Sequence, residues 1–182
     1  MSQIDIEMVF DAVTIMNKYP KSLDPNKPIG IEHNDVFMIT EKTYLDPGHT
    51  NTQATADLWI KAFAGADSIR WRSESLSDNV FTSVIVYNIA WFRDQHVTEE
   101  PVVKSDATTS VPVPNADASN KVPDATKFHA ETVTKYYLHA EVVKPGTEGY
   151  MVYFYITQRD RSSSEIKVVS YYYWDPTITA VS

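Results

Sequence analysis

The chain has 182 residues, 43% of them hydrophobic, with no cysteine and a formal net charge of −8. Without cysteine there is no disulfide framework, thiolate nucleophile or Cys-based zinc site. A surface of that sign repels phosphate backbones and anionic lipid, so neither nucleic acid nor a membrane is an expected partner. A chain of this length buries roughly 70% of its unfolded surface, enough for one β-domain over 1–182 without staples.

The N-terminal Met1-Ser-Gln-Ile-Asp-Ile-Glu has no basic n-region and no long apolar h-region, and no run is long enough to span a bilayer. The expectation is a soluble cytoplasmic protein. Ile4 to Asp11 alternates and then turns continuously apolar, which predicts a strand. Thr14–Tyr19 predicts a short helix stopped by Pro20, because the residue before proline is pushed out of the α region. Residues 21–34 hold Pro25, Pro28 and Gly30 and read as a loop. Val36–Thr40 is a short strand, and Asp46-Pro-Gly-His49 a turn. Asp57–Ala64, Ser68–Ser73 and Val80–Asn88 are three β-branched and aromatic runs separated by polar turns, the signature of consecutive strands; the third extends or bends near Asn88.

From Thr98 to Ala125 the composition shifts to proline, serine, threonine and aspartate. Proline cannot donate to a ladder, so 98–125 reads as a long loop or an edge strand. Lys135–Val143, Tyr150–Thr157 and Ile166–Trp174 carry the strongest strand signal. In the middle one, Met151, Tyr153 and Tyr155 share one face and Val152, Phe154 and Ile156 the other, which suits a central strand or a sheet whose outer face meets a second subunit. The fold class is therefore all-β: an antiparallel, jelly-roll-like β-sandwich of about eight to nine strands with one short N-terminal helix.

Chemistry is sparse. The five histidines (His33, His49, His96, His129 and His139) show no metal spacing. There is no Gly-x-Ser-x-Gly elbow, and five glycines form neither a P-loop nor a dinucleotide fingerprint. No catalytic residue is nominated, and the chain does not read as an enzyme. Calcium is the one cofactor left open, through the loop oxygens of Asp78, Asn79, Asp117, Asn120 and Asp124; the same residue types serve turns for local hydrogen bonding alone. Trp91 with Asp94 and Trp174 with Asp175 set aromatics beside carboxylates, as a glycan site would; such aromatics also serve as ordinary core. Eight of the eleven tyrosines lie between Tyr136 and Tyr173. Tyr153, Tyr155, Tyr171 and Tyr173 are candidates for an interface between copies, since tyrosine is enriched where a ring is buried and its hydroxyl satisfied.

Several segments, kept in order along the chain, carry a family resemblance. They are Ile4-Asp-Ile, Tyr19-Pro20, Asp24-Pro25-Asn26, Val36-Phe-Met-Ile-Thr40, Ala64-Gly-Ala-Asp-Ser-Ile-Arg-Trp71-Arg-Ser73, Ser75-Leu-Ser77, Val86-Tyr-Asn-Ile89 and Tyr172-Tyr-Trp-Asp-Pro176. Together they resemble the AidA/PixA family of bacterial inclusion-body proteins. The resemblance implies a single-domain β-sandwich, a non-enzymatic role, a link to quorum sensing or to abundant cytoplasmic inclusions, and no catalytic residues. PixA-like members are methionine-rich; the five methionines here depart from that pattern. The expected function is self-association into a homo-oligomer through aromatic sheet surface. The alternative is a lectin-like, carbohydrate-binding module, with calcium as its candidate cofactor.

Overall fold

The computed structural model describes residues 2–49, 52–77, 79–92, 96–114 and 127–182, with the backbone alone at 107–109. They fall into two compact units, one made of residues 1–103 and 137–182, the other of residues 104–136.

The first unit has two β-layers. In β1 (Ser2–Phe10), Ile4, Ile6, Met8 and Phe10 alternate inward and are fully buried, as a period of two requires when one face meets the core. Asp11 then caps α1 (Ala12–Lys18): its carboxylate accepts from Thr14 N at 3.0 Å, satisfying a donor the helix cannot. The helix buries Ala12 and Ile15 and stops at Tyr19, before Pro20. β1 pairs on one side with β3 (Val36–Thr40) and on the other with β5 (Asp67–Ser75). Residues 138–141 of β8 (Phe128–Glu141) pair with β5.

The second layer is organised around β9 (Gly146–Arg159). β10 (Ile166–Trp174) runs antiparallel along one edge, and β6 (Thr82–Trp91) along the opposite edge. β11 (Thr177–Val181) continues the register of β10 beyond Asp175-Pro176: Trp174 stands opposite Val152, and Thr177 opposite Gly149. β4 (Asp57–Lys61) lies beside β11, and the two-residue β2 (Ile29–Gly30) beside β10. Aromatic rings join the layers. Phe10 packs on Phe154 at 4.7 Å between centroids and on Trp174 at 6.5 Å, and Trp71 meets Tyr150 edge-on at 5.6 Å. Such pairs add about 1 kcal/mol each to the area they bury.

The β-sandwich class holds, with differences in detail. The sheets are mixed rather than antiparallel: β1 with β5, β2 with β10, and β4 with β11 are parallel. Alternation of apolar residues specifies which face is buried and is blind to strand direction. Eleven strands occur among the described residues, against the eight or nine expected. The two additions are β2, too short to show a pattern, and β11, which follows a proline. Within 98–125, β7 (Val102–Pro114) is a strand at the end of its sheet order, next to β8. Residues 115–126 are outside the described residues.

Candidate functional site

Two surface features of the first unit stand out, one aromatic and one concave. The aromatic one comes from the strand register. Across β9 and β10, Tyr153 stands opposite Tyr173 and Tyr155 opposite Tyr171. Opposed side chains on one sheet face lie about 5 Å apart at Cβ, close enough for rings to touch. Their centroids are 6.2 and 5.6 Å apart. Tyr87 joins them because β6 slips register between Val86 and Asn88, and the extra residue of that bulge points outward. Its ring lies 6.2, 6.0 and 6.0 Å from those of Tyr153, Tyr155 and Tyr171. All five rings are half-buried. Burial, then neighbouring phenols, raises the Tyr87 and Tyr155 hydroxyls above their ordinary pKa of 10.0. At neutral pH these two hydroxyls therefore keep their protons. Gly30 lies under Tyr173; a Cβ there would stand 2.8 Å from the tip of the ring and push it aside.

The concave feature is a cleft of about 870 Å³. Phe37 of β3 and Phe92, just past β6, give it apolar surface; Phe92 is 54% exposed. Two carboxylates reach it. Asp57 of β4 accepts a hydrogen bond from the Thr177 hydroxyl, and Asp175 lies 3.5 Å from His33 Nε2. Thr147 and Gly149 of β9 also line it, and no lysine or arginine does so among the described residues. Ala54 enters the wall at φ 59°, in the left-handed region, where a residue with a Cβ is strained by about 1 kcal/mol or more. Backbone bonds hold it there: Ala54 N donates to Met38 O at 2.8 Å, and Met38 N to Thr55 O at 3.1 Å.

Between Thr147 and Gly149, Glu148 points the other way, into the core, and its side chain is fully buried. One carboxylate oxygen, Oε2, accepts from Val97 N at 2.7 Å, Thr98 N at 2.9 Å, the Thr98 hydroxyl at 3.3 Å and the Tyr150 hydroxyl at 3.1 Å. The other, Oε1, has no hydrogen-bond partner; His96 Nδ1 lies 3.8 Å away and is likewise unpartnered. Burial raises the Glu148 carboxyl above its ordinary value of 4.5, outweighing those four bonds. Glu148 thus ties the 96–98 segment to β9.

The residues singled out from the sequence fall unevenly over this surface. Tyr153, Tyr155, Tyr171 and Tyr173 share one face. Asp175 lines the cleft, but its neighbour Trp174 is fully buried against Phe10 and leaves no ring for a surface ligand. Trp91 packs against His96 with the rings tilted and their centroids 3.8 Å apart and is absent from the cleft wall, while the next residue, Phe92, is in it. Asn79 is committed to its turn: its side-chain oxygen accepts from Ser75 N and Val84 N. Asp78, Asp94, Asp117, Asn120 and Asp124 lie outside the described residues, and among the described residues no three metal-ligating side chains gather. Sequence reading missed Tyr87, Phe37, Phe92, Asp57 and Glu148. Only Glu148 carried a usable signal, since it extends the inward series of Val152, Phe154 and Ile156 by steps of two.

In the first unit a two-layer mixed β-sandwich with one short helix and a tyrosine face defines the class: a β-protein, with no helix among the described residues long and apolar enough to cross a membrane. The model of the PixA inclusion body protein family matches residues 2–180, and the chain belongs to that family. Its fold is similar to the crystal structure of a PixA inclusion body protein from Burkholderia cenocepacia J2315, at 17% identity over 99% of this chain and 96% of that one, with a TM-score of 0.73. No curated protein matches the chain.

Proposed function

We propose that this is a non-enzymatic protein that associates with copies of itself through the tyrosine face, in the manner its family name describes, and collects in cytoplasmic inclusions. The observation that carries the reading is the cluster of Tyr87, Tyr153, Tyr155, Tyr171 and Tyr173, five contacting rings left half-open on the outer face of the central strands. Copies with net charge −8 repel one another in most orientations. A face whose rings carry no charge is where two copies approach at least cost, and a two-fold contact sets the same patch against itself. Stable contacts of this kind bury on the order of 800 Å² per partner. By the same resemblance, the protein accumulates as cell density rises.

Light scattering over a concentration series tests this. The wild-type chain is expected to associate, and a variant carrying Tyr153→Glu and Tyr155→Glu to stay monomeric with an unchanged circular dichroism spectrum. A wild type that remains monomeric at high concentration, or a variant that associates equally, removes the reading.

A further inference from the structure

A groove of about 740 Å³ opens at the other end of β9 from the cleft. Its wall carries Arg159, Arg161 and Lys167, three cations gathered in one place on a chain of net charge −8. Backbone bonds fix the two arginines. Arg159 N donates to Phe81 O at 2.8 Å, and the turn that follows is closed by Ser164 N on Asp160 O at 3.0 Å and Asp160 N on Glu165 O at 2.8 Å. The Arg161 guanidinium lies 5.3 Å over the Phe81 ring, a cation–π contact that steadies it and leaves its N–H edges for another partner. The neighbouring acids Asp160 and Glu165 are engaged locally. Asp160 Oδ1 accepts from Ser162 N at 2.7 Å and Ser163 N at 3.0 Å, and Glu165 pairs with Lys167 at 3.0 Å. The donors for an incoming anion are therefore the two guanidiniums. Apolar side chains line the groove as well: Val13, at the start of α1, with Phe81 and Val169. Val13 and Ser77 continue into an adjoining hollow of about 120 Å³, whose wall adds Leu76. Val13, Leu76 and Phe81 are all exposed. Exposed apolar residues scattered singly are ordinary; three that converge on one groove mark a binding surface.

We propose that this groove binds a small amphipathic carboxylate, a fatty acid of medium chain length, with its head on Arg159 and Arg161 and its tail along Val13 towards Leu76. A planar guanidinium meets a carboxylate through two parallel hydrogen bonds. An inorganic anion would leave the apolar wall wet, and a neutral hydrocarbon would leave the guanidiniums unused; a carboxylate on a short alkyl chain uses both. None of the five clustered tyrosines lines the groove, so the site is separate from the face used in self-association.

Saturation-transfer NMR on the whole chain, which tolerates large assemblies, tests it with octanoate below its micelle concentration, and with octan-1-ol and adenosine monophosphate in separate arms. Transfer to the octanoate chain is expected, with a dissociation constant of about 1 mM, and weaker transfer to octanol, which has the same tail without the charge. A variant carrying Arg159→Gln and Arg161→Gln is expected to weaken octanoate about tenfold, the worth of two exposed charge contacts. Removing the same charge outside the groove, with Lys42→Gln and Lys144→Gln, is expected to leave binding unchanged. Leu76→Ser, at an exposed position, is expected to weaken it several-fold and serves if the arginine variant does not fold. Silence from octanoate overturns the proposal. So do equal binding of octanol, an equal loss in the lysine variant, and binding that the arginine and serine variants leave unchanged. Transfer to adenosine monophosphate alone also overturns it and reassigns the groove to phosphate esters.

Discussion

The two faces of β9 carry nearly the same chemistry and meet opposite fates. Inward, Phe154 contacts Phe10 and Tyr172 with centroids 4.7 and 5.6 Å apart; outward, Tyr153 and Tyr155 contact three other tyrosines at 5.6 to 6.2 Å. Ring spacing alone does not separate them. What separates them is water: Phe154 and Tyr172 are wholly buried, while the outer tyrosines are half-open. The hydrophobic contribution follows apolar area removed from water, so the inner rings hold the fold and the outer ones add little to a single copy. The outer face has unspent area, and a second copy can cover it.

Substitutions sharpen this contrast. Phe154→Ala empties space between the layers and is expected to cost about 4 kcal/mol in urea unfolding. Next in size is Glu148→Ala, which leaves the Val97 and Thr98 amides without their acceptor and is expected to cost about 2 kcal/mol. Glu148 also imposes a pH dependence. Its folded pKa is raised above 4.5, so between that value and the raised one the folded chain keeps a proton that the unfolded chain has released. Stability from this group is therefore full below 4.5 and declines as pH rises through the folded value. Glu148→Gln is expected to flatten that decline in a thermal-melt series across the window; an unaltered slope assigns it to other groups. The smallest effect belongs to the outer face. Tyr155→Ala is expected to cost a dilute monomer about 1 kcal/mol or less. If it costs as much as Phe154→Ala, the outer tyrosines are already buried in an assembly at the concentration used, and the contrast between the faces collapses.

The alternation of Tyr150–Thr157 makes both faces of β9 readable, because residues two apart along a strand share an environment whatever pairs with it. Pairing itself is hidden. The parallel contacts of β1 with β5 and β4 with β11 join segments far apart in sequence, and nothing local encodes them. Bulges defeat the same logic on a smaller scale: one at Tyr87 adds a fifth ring to the cluster, and one between Val168 and Ser170 resets which tyrosines of β10 face outward. For the cleft, the pairing of aromatics with carboxylates locates Asp175 but points to Trp174 and Trp91, whereas Phe92 and Phe37 are the aromatics that line the wall. A one-residue error along a strand turns a side chain to the other face. The cleft residues come from several separate stretches of chain, so no window of sequence contains them.

β11 has a consequence for synthesis. In the sheet order it lies between β9 and β4, and Thr177 is hydrogen-bonded to Asp57, 120 residues earlier. On the ribosome, β4 and its inward Leu58 and Ile60 must wait on the order of ten seconds for this neighbour to be made. During that interval the β11 of an adjacent, more advanced chain offers the same edge, the same register and the same side chains. Until then the apolar edge of β4 stays open, the condition under which β-proteins with distant strand partners are most exposed to misassembly.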